Sequence, residues 1–330
     1  MAEFKLGLFG GGIIARAHLA AAKALAGRVK IAAIVDPSDA ARKTVADATV
    51  AQQFASAEEF FAAARRERLV DGVMVCTPPN ARLPIVRAAL AQDLAVFVEK
   101  PLAHTLDEAR GLVDLAAKHP NLATIVGYCH RFVAAVIEMK KQIDDGSLGK
   151  VVRFENIFAS WNPAMKQRWT SDPAISGGGS LIDTGSHSLD LFAHLFGPAT
   201  VECAVVHHEW PGRGESNATL LLRGNGQHNR VTGVIQSGWL EPARFTITVV
   251  GTAGLLHYDY DKPRELLHRR SEGGGEVIAV ESHELRFERQ INAFADIAQG
   301  RTPSVNLASF ADGLRVAEHV DEAMKRATVI

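Results

Sequence analysis

Cysteine is scarce in this chain of 330 residues. Cys76, Cys129 and Cys203 are odd in number, far apart and without CxxC spacing. That argues against a disulfide framework and against a thiol zinc site, and it suits a reducing cytoplasm. Cys76 closes the apolar run VDGVMVC, which reads as a buried structural thiol. Long apolar runs are also missing: none approaches the ~18 residues that a spanning helix needs, so no membrane embedding is expected. The opening MAEFKLGLFGGG lacks the cleavage pattern of a secretory signal, and residue 1 is taken as the mature start. An excess of one charge is absent too. Lys plus Arg number 36 against 37 Asp plus Glu, so no global field favours a polyanion and nucleic acid is not an expected partner. No internal repeat occurs, and the low-complexity tracts are the glycine clusters at 177–179 and 273–275.

What is present fits a globular chain of two domains, with 47% hydrophobic and 22% charged residues. Through residue 127, short β-branched runs (4–10, 29–35, 70–76, 94–99, 121–127) alternate with helix candidates near 13–26, 38–48, 56–67, 80–91 and 105–118. That alternation predicts an α/β fold with a doubly wound parallel sheet. Ser38, Ser56 with Glu59, and Thr105 with Glu108 supply helix-start signals. A linking helix over 132–145 leads into DDGSLGK, and the texture then changes to long strands. Those at 151–160, 200–210, 217–224, 229–239, 244–251 and 254–260 read as one large, open, mostly antiparallel sheet. Helices are expected near 180–196, 283–299 and 306–327. The domains are therefore drawn as 1–127, binding a dinucleotide, and 128–330, an α/β domain for substrate and oligomerisation, whose terminal helix could return to the first.

Gly10-Gly11-Gly12-Ile13-Ile14-Ala15 follows a strand and opens a helix, in the pattern G-x-G-x-x-A. Gly10 permits the tight turn, Gly12 lets backbone approach a pyrophosphate, and the helix N-terminus with Ile13 and Ile14 faces the anion. Asp36, at the end of the second strand, suits the adenosine ribose hydroxyls and favours NAD; it also reads as a capping residue before Pro37. Arg42 and Lys43 nearby could soften repulsion of a 2′-phosphate, which keeps NADP open. Thr77, Pro78 and Asn80 sit at the carboxyl edge of the sheet, where ligands bind in such folds, though a plain turn capped by Asn80 would look the same.

Glu99-Lys100-Pro101 ends another strand, with Glu99 and Lys100 directed toward the nicotinamide side of the cofactor. Lys100 could hydrogen-bond a substrate oxygen and stabilise charge there. In SGGGSLIDTGSHSLD, over 176–190, Asp183 and His187 are four apart and share a helix face. Histidine can take a hydroxyl proton as hydride leaves. Taken alone the pair reads either as catalytic or as structural. No metal is expected, because no third ligand stands at suitable spacing and Asp190 points toward the far side, at the helix surface.

GGGIIARAH (10–18), CTPPN (76–80), EKPLA (99–103), GYCHRF (127–132), GSLGKV (146–151) and GGGSLIDTGSHSLDL (177–191), in this order, resemble the Gfo/Idh/MocA oxidoreductases, the family of glucose-fructose oxidoreductase and inositol dehydrogenase. The resemblance implies a Rossmann domain, a second domain with an open sheet, and a catalytic set matching Lys100, Asp183 and His187. It further implies a sugar, inositol, sugar-acid or nucleotide-sugar substrate, NAD or NADP, and a dimer or tetramer formed through the open sheet. Arg131 matches a substrate-facing position, and Trp161, Asn162, Arg168 and Trp169 fall in the variable stretch that shapes the pocket. Leu83 stands where many relatives carry histidine, which puts a cofactor-side role at that position in doubt. Two other readings are a sugar sensor that binds NAD(P) without turnover, and an enzyme that uses bound NAD transiently in epimerisation or glycoside cleavage.

Overall fold

Strands buried on both faces build the first sheet: Gly72–Val75 and Ala95–Val98 are buried at every position, the mark of a parallel sheet covered by helices. The structure, a computed structural model, describes residues 2–225 and 230–330. The chain divides into two compact units, residues 1–129 with 285–314, and residues 130–284 with 315–330.

The first unit alternates β1 (Phe4–Phe9), α1 (Ile13–Ala24), β2 (Val29–Val35), α2 (Asp39–Thr49), β3 (Gln52–Phe54), α3 (Ala57–Arg66), β4 (Gly72–Val75), α4 (Arg82–Leu90), β5 (Ala95–Val98), α5 (Leu106–Ala117) and β6 (Thr124–Val126). Its sheet runs β6-β5-β4-β1-β2-β3 with every neighbour parallel, so all the strand carboxyl ends lie along one edge. The expected start signals are present. Ser38 accepts the N–H of Ala41, Ser56 that of Glu59, and Thr105 that of Glu108, each satisfying a donor the first helical turn leaves over.

In the second unit come α6 (Ala134–Asp144), β7 (Val151–Trp161), the short α7 (Pro173–Ser176), α8 (Ser186–Phe196), β8 (Ala199–His207), β9 (Asn217–Gly224), β10 (Thr232–Gly238), β11 (Leu240–Gly251), β12 (Gly254–Asp259), β13 (Glu265–Arg270) and β14 (Gly275–Ala279). The chain then completes the first unit with α9 (Arg286–Ala298) and β15 (Ala308–Ser309), the latter pairing antiparallel with β6. Last come α10 (Phe310–Arg326) and β16 (Ala327–Val329). The second sheet has the order β14-β13-β12-β11-β7-β10-β9-β8-β16.

The sheet is mostly antiparallel, as expected, and two of its features were not specified by the sequence. β10 runs parallel to β7, as β16 does to β8. The cause is α8, which carries the chain back before β8 begins, so that β8 and β10 share the direction of β7. The hairpin β13–β14 was not expected either: its strands are polar and largely exposed, and little alternation marks them. Asn229, expected to open a strand, lies outside the described residues.

The first core joins Phe4, Leu6, Leu8, Ile31, Met74 and Phe97 of the sheet to Ala15 and Leu19 of α1 and to Ile291 and Phe294 of α9. Phe154 on β7 meets Phe192 and Phe196 of α8 edge-on in the second. Among the described residues no helix is long and apolar enough to cross a membrane.

Candidate active site

The glycine turn has the shape a pyrophosphate requires. Gly10 adopts φ +89°, and a Cβ there would lie 3.0 Å from the Cys76 carbonyl carbon and oxygen, so a side chain is excluded on both counts. A Cβ on Gly12 would meet nothing within 4 Å. Gly12 also begins α1 with no side-chain cap, leaving the first helical N–H groups for a ligand. Ala15 is fully buried while Ile13 is 70% exposed, and Ile14 is half-buried.

Asp36 follows β2 and closes this turn. Its Oδ2 accepts the Gly11 N–H at 2.8 Å and its Oδ1 the Ser38 N–H at 2.8 Å. Lone pairs on both oxygens remain for ribose hydroxyls. Arg42 donates to the Asp36 carbonyl and the Asp39 carboxylate, and Lys43 pairs with Asp47. Both cations that could have met a 2′-phosphate are thus engaged nearby. Beyond β4, the Thr77 hydroxyl is buried without a hydrogen-bond partner, as expected of a donor awaiting a ligand. Pro78 is half-buried and Asn80 exposed. The N-cap of α4 is Ala81, with no side-chain bond, so Asn80 is not its cap. Open glycine backbone, helix terminus, carboxylate and orphan hydroxyl together fit a dinucleotide.

At the end of β5, Lys100 is half-buried beside a cis bond to Pro101. Glu99, expected beside the cofactor, lies at the same strand end. It is 4% exposed, its Oε1 lies 2.6 Å from His18 Nε2, and its Oε2 accepts the Lys100 backbone N–H at 3.0 Å. Sequence reasoning passed over Arg82 as well. Its buried guanidinium donates to the carbonyls of Thr77, Glu99, Lys100 and Pro101, tying the ends of β4 and β5. Burial lowers its pKa to about 10, against the opposing pull of Glu99. Burial likewise pushes the Cys76 thiol well up, with Glu99 adding to the effect.

In the second unit Asp183 and His187 lie where the chain passes from a π-helical turn, Leu181–Gly185, into α8. Such turns recur at functional sites, and the expectation of an uninterrupted α-helix missed it. Glu215 holds the approach to this turn. Its carboxylate accepts the N–H groups of Gly179 (3.0 Å) and Leu181 (2.8 Å), and its carbonyl accepts that of Ser180. A Cβ on Gly179 would lie 2.1 Å from the Glu215 carbonyl oxygen, so glycine is required there. Burial raises the Glu215 pKa, opposed by the N–H bonds.

His130 also approaches this turn, its ring edge-on to His187 with centroids 4.5 Å apart and its Nδ1 2.5 Å from the Tyr260 hydroxyl. Arg131, expected to face substrate, is buried, and its guanidinium grips Asp190 through two bonds, at 2.9 and 2.6 Å. Asp190 itself is 1% exposed rather than at the helix surface. Trp161 and Trp169 are 67% and 43% exposed, Arg168 is exposed and Asn162 half-buried. The Asn162 N–H donates to the Trp239 carbonyl.

A parallel sheet whose carboxyl edge carries an open glycine turn, a carboxylate at the end of its second strand and a lysine defines a dinucleotide-binding oxidoreductase fold. The description "Oxidoreductase family, NAD-binding Rossmann fold" (GFO_IDH_MocA) matches residues 4–128, and the GFO/IDH/MocA C-terminal domain matches residues 136–257. The chain belongs to the GFO/IDH/MocA oxidoreductase family, and its cofactor class is the nicotinamide dinucleotides. It is 29% identical to the rhizopine catabolism protein MocA of Rhizobium meliloti, over 99% of this chain and 96% of that one. Inositol 2-dehydrogenase of Agrobacterium fabrum is 28% identical over 78% of this chain and 69% of its own length. Among solved structures, levoglucosan dehydrogenase in complex with NADH and L-sorbose matches in fold with a TM-score of 0.86 and 21% identity, covering 99% of this chain and 98% of that one.

Proposed function

We propose that this protein is an NAD-dependent dehydrogenase that oxidises a CH–OH carbon of a sugar, inositol or sugar acid, or reduces the corresponding carbonyl. The observation that carries this reading is the position of Lys100, at the same sheet edge as the open glycine turn, Asp36 and Thr77. The relatives named for inositol and levoglucosan support the substrate class.

When bound, the nicotinamide takes up or gives the hydride. Gly10, Gly12 and the α1 N-terminus would hold the pyrophosphate, Asp36 the ribose and Thr77 the cofactor's edge. Lys100 hydrogen-bonds the substrate oxygen and stabilises charge developing on it. The His187 imidazole accepts the hydroxyl proton during oxidation and returns it during reduction, while Asp183 orients the substrate hydroxyls. Trp161, Asn162 and Trp169 line the sugar. The reading requires the Lys100 ammonium and the His187 imidazole to reach one substrate.

The direct test follows absorbance at 340 nm across sugars, inositols and sugar acids, with NAD and NADP in parallel. Turnover with at least one polyol and preference for NAD are expected. Measurable NADH binding without turnover across the panel would sink the reading. The three free cysteines suit a reducing cytoplasm. On β9, exposed Thr219, Leu221 and Arg223 alternate with buried neighbours, leaving a sheet face through which copies could pair into a dimer or tetramer. Light scattering should then give a mass of at least two chains, and a monomer at every concentration would contradict that assembly.

A further inference from the structure

The first unit buries a histidine–carboxylate pair that the proposed chemistry leaves unused. His18 is fully buried on α1, five residues beyond Ile13, with its Nε2 2.6 Å from Glu99 Oε1. Phe97 and Phe287 flank the imidazole edge-on, each at 5.3 Å. The second Glu99 oxygen accepts the Lys100 N–H, and Arg82 reaches the Lys100 carbonyl from the other side. A Cβ on Gly127, just past β6, would lie 3.0 Å from Glu99 Cδ, so the carboxylate is confined between two strand ends. Stability alone gives little reason for such a pair, because apolar residues of equal volume often pack as well or better. Its geometry supplies another reason: one carboxylate touches both the helix that opens at the glycine turn and the backbone of Lys100.

We propose that His18 and Glu99 form a positioning pair. It transfers the placement of α1, and so of the bound phosphates, to the main chain at Lys100, and thereby sets where the ammonium can reach. No proton or bond changes hands. The pair acts through geometry, and the inference rests on the catalytic role given to Lys100 above.

The test is a double-mutant cycle of Glu99→Gln and Lys100→Ala on the substrate found by the absorbance screen, with NADH affinity read by fluorescence titration. Glutamine at 99 can still offer one oxygen to His18, but it presents an amide NH₂ where the Lys100 N–H needs an acceptor. Glu99→Gln should lower kcat by about 10- to 100-fold, the scale of an ångström-sized misplacement, with KM and the NADH Kd within roughly threefold of the parent. The double variant should be no slower than Lys100→Ala alone, because a group that acts only through Lys100 has nothing left to position. His18→Asn, removing the other half of the pair, should reproduce the pattern and serves if Glu99→Gln folds poorly by circular dichroism. Parental kcat in these variants overturns the proposal, and so do losses that multiply with that of Lys100→Ala. If Lys100→Ala itself turns over like the parent, the catalytic reading falls and takes this inference with it. Multiplying losses beside a slowed but measurable Lys100→Ala remove the positioning role alone.

Discussion

Asp36 spends one lone pair on each oxygen to hold the glycine turn and Ser38, so its removal should loosen the turn as well as the ribose contact. Asp36→Ala is expected to raise the KM for NAD by roughly tenfold, the worth of a charge-assisted hydrogen bond, and to narrow the preference over NADP. Parallel kinetics with the two cofactors check this. Lys100→Ala should reduce kcat by about 100-fold or more while changing NAD affinity little, since the ammonium is assigned to the substrate oxygen and not to the dinucleotide. Single-turnover absorbance with equilibrium binding separates the two effects. At this scale the sequence showed what is written in short windows. The glycines, Asp36, Lys100, Asp183 and His187 stand in contiguous motifs with chemical meaning. His18, Glu215 and His130 escaped notice because each finds its partner at a distance in the chain: 81 residues separate His18 from Glu99, and 36 separate Gly179 from Glu215. Nothing local names His18 or Asp190 as the partners of Glu99 and Arg131 either.

Elements were easier to read wherever their signals were local. Helices α2, α3 and α5 begin at their capping serine and threonine residues, and the central strands β4 and β5 are unbroken apolar runs. The π turn carries no such signature; its geometry depends on Glu215, which is supplied from the segment between β8 and β9. Gly179→Ala should therefore fail to give stable protein, because its methyl group would press on the Glu215 backbone. A thermal melt at least 10 °C below the parent, or loss of soluble expression, is the expected result, on the scale of overpacking at ~1–3 kcal/mol and beyond.

Glu215 also gives this element a pH signature. Burial raises its folded pKa, so between the ordinary carboxylate range and that raised value the folded chain holds more protons than the unfolded one. Stability from this group consequently falls as pH rises through that window. Urea midpoints between pH 4 and 7 should show this slope in the parent and a flatter one in Glu215→Gln.

For the whole molecule, the decisive fact is that the first unit is discontinuous. α9 lays Ile291 and Phe294, both fully buried, into its core. Asp296 on the same helix pairs with Arg28, beyond the end of α1, at 2.7 Å. Phe294→Ala should cost about 3–5 kcal/mol and weaken NADH binding only through unfolding, so that affinity returns to the parental value at low temperature. A fragment of residues 1–129 should neither melt cooperatively nor bind NADH, whereas adding residues 285–314 through a flexible linker should restore both. Cooperative folding of the short fragment would contradict the packing described. The sequence reading placed helices at 283–299 and 306–327, yet amphipathic periodicity says only that a helix must cover something, not which core it covers.

Synthesis at the ribosome gives that discontinuity a temporal meaning. From the emergence of residue 129 to that of residue 314, translation at ~5–20 residues per second takes on the order of 10–40 seconds. Throughout that interval a nascent first sheet has one flank bare, and a chaperone that shields apolar surface would find its substrate there. Nucleotide affinity would then arise late in elongation, so a product truncated by premature termination would emerge unable to sequester NAD.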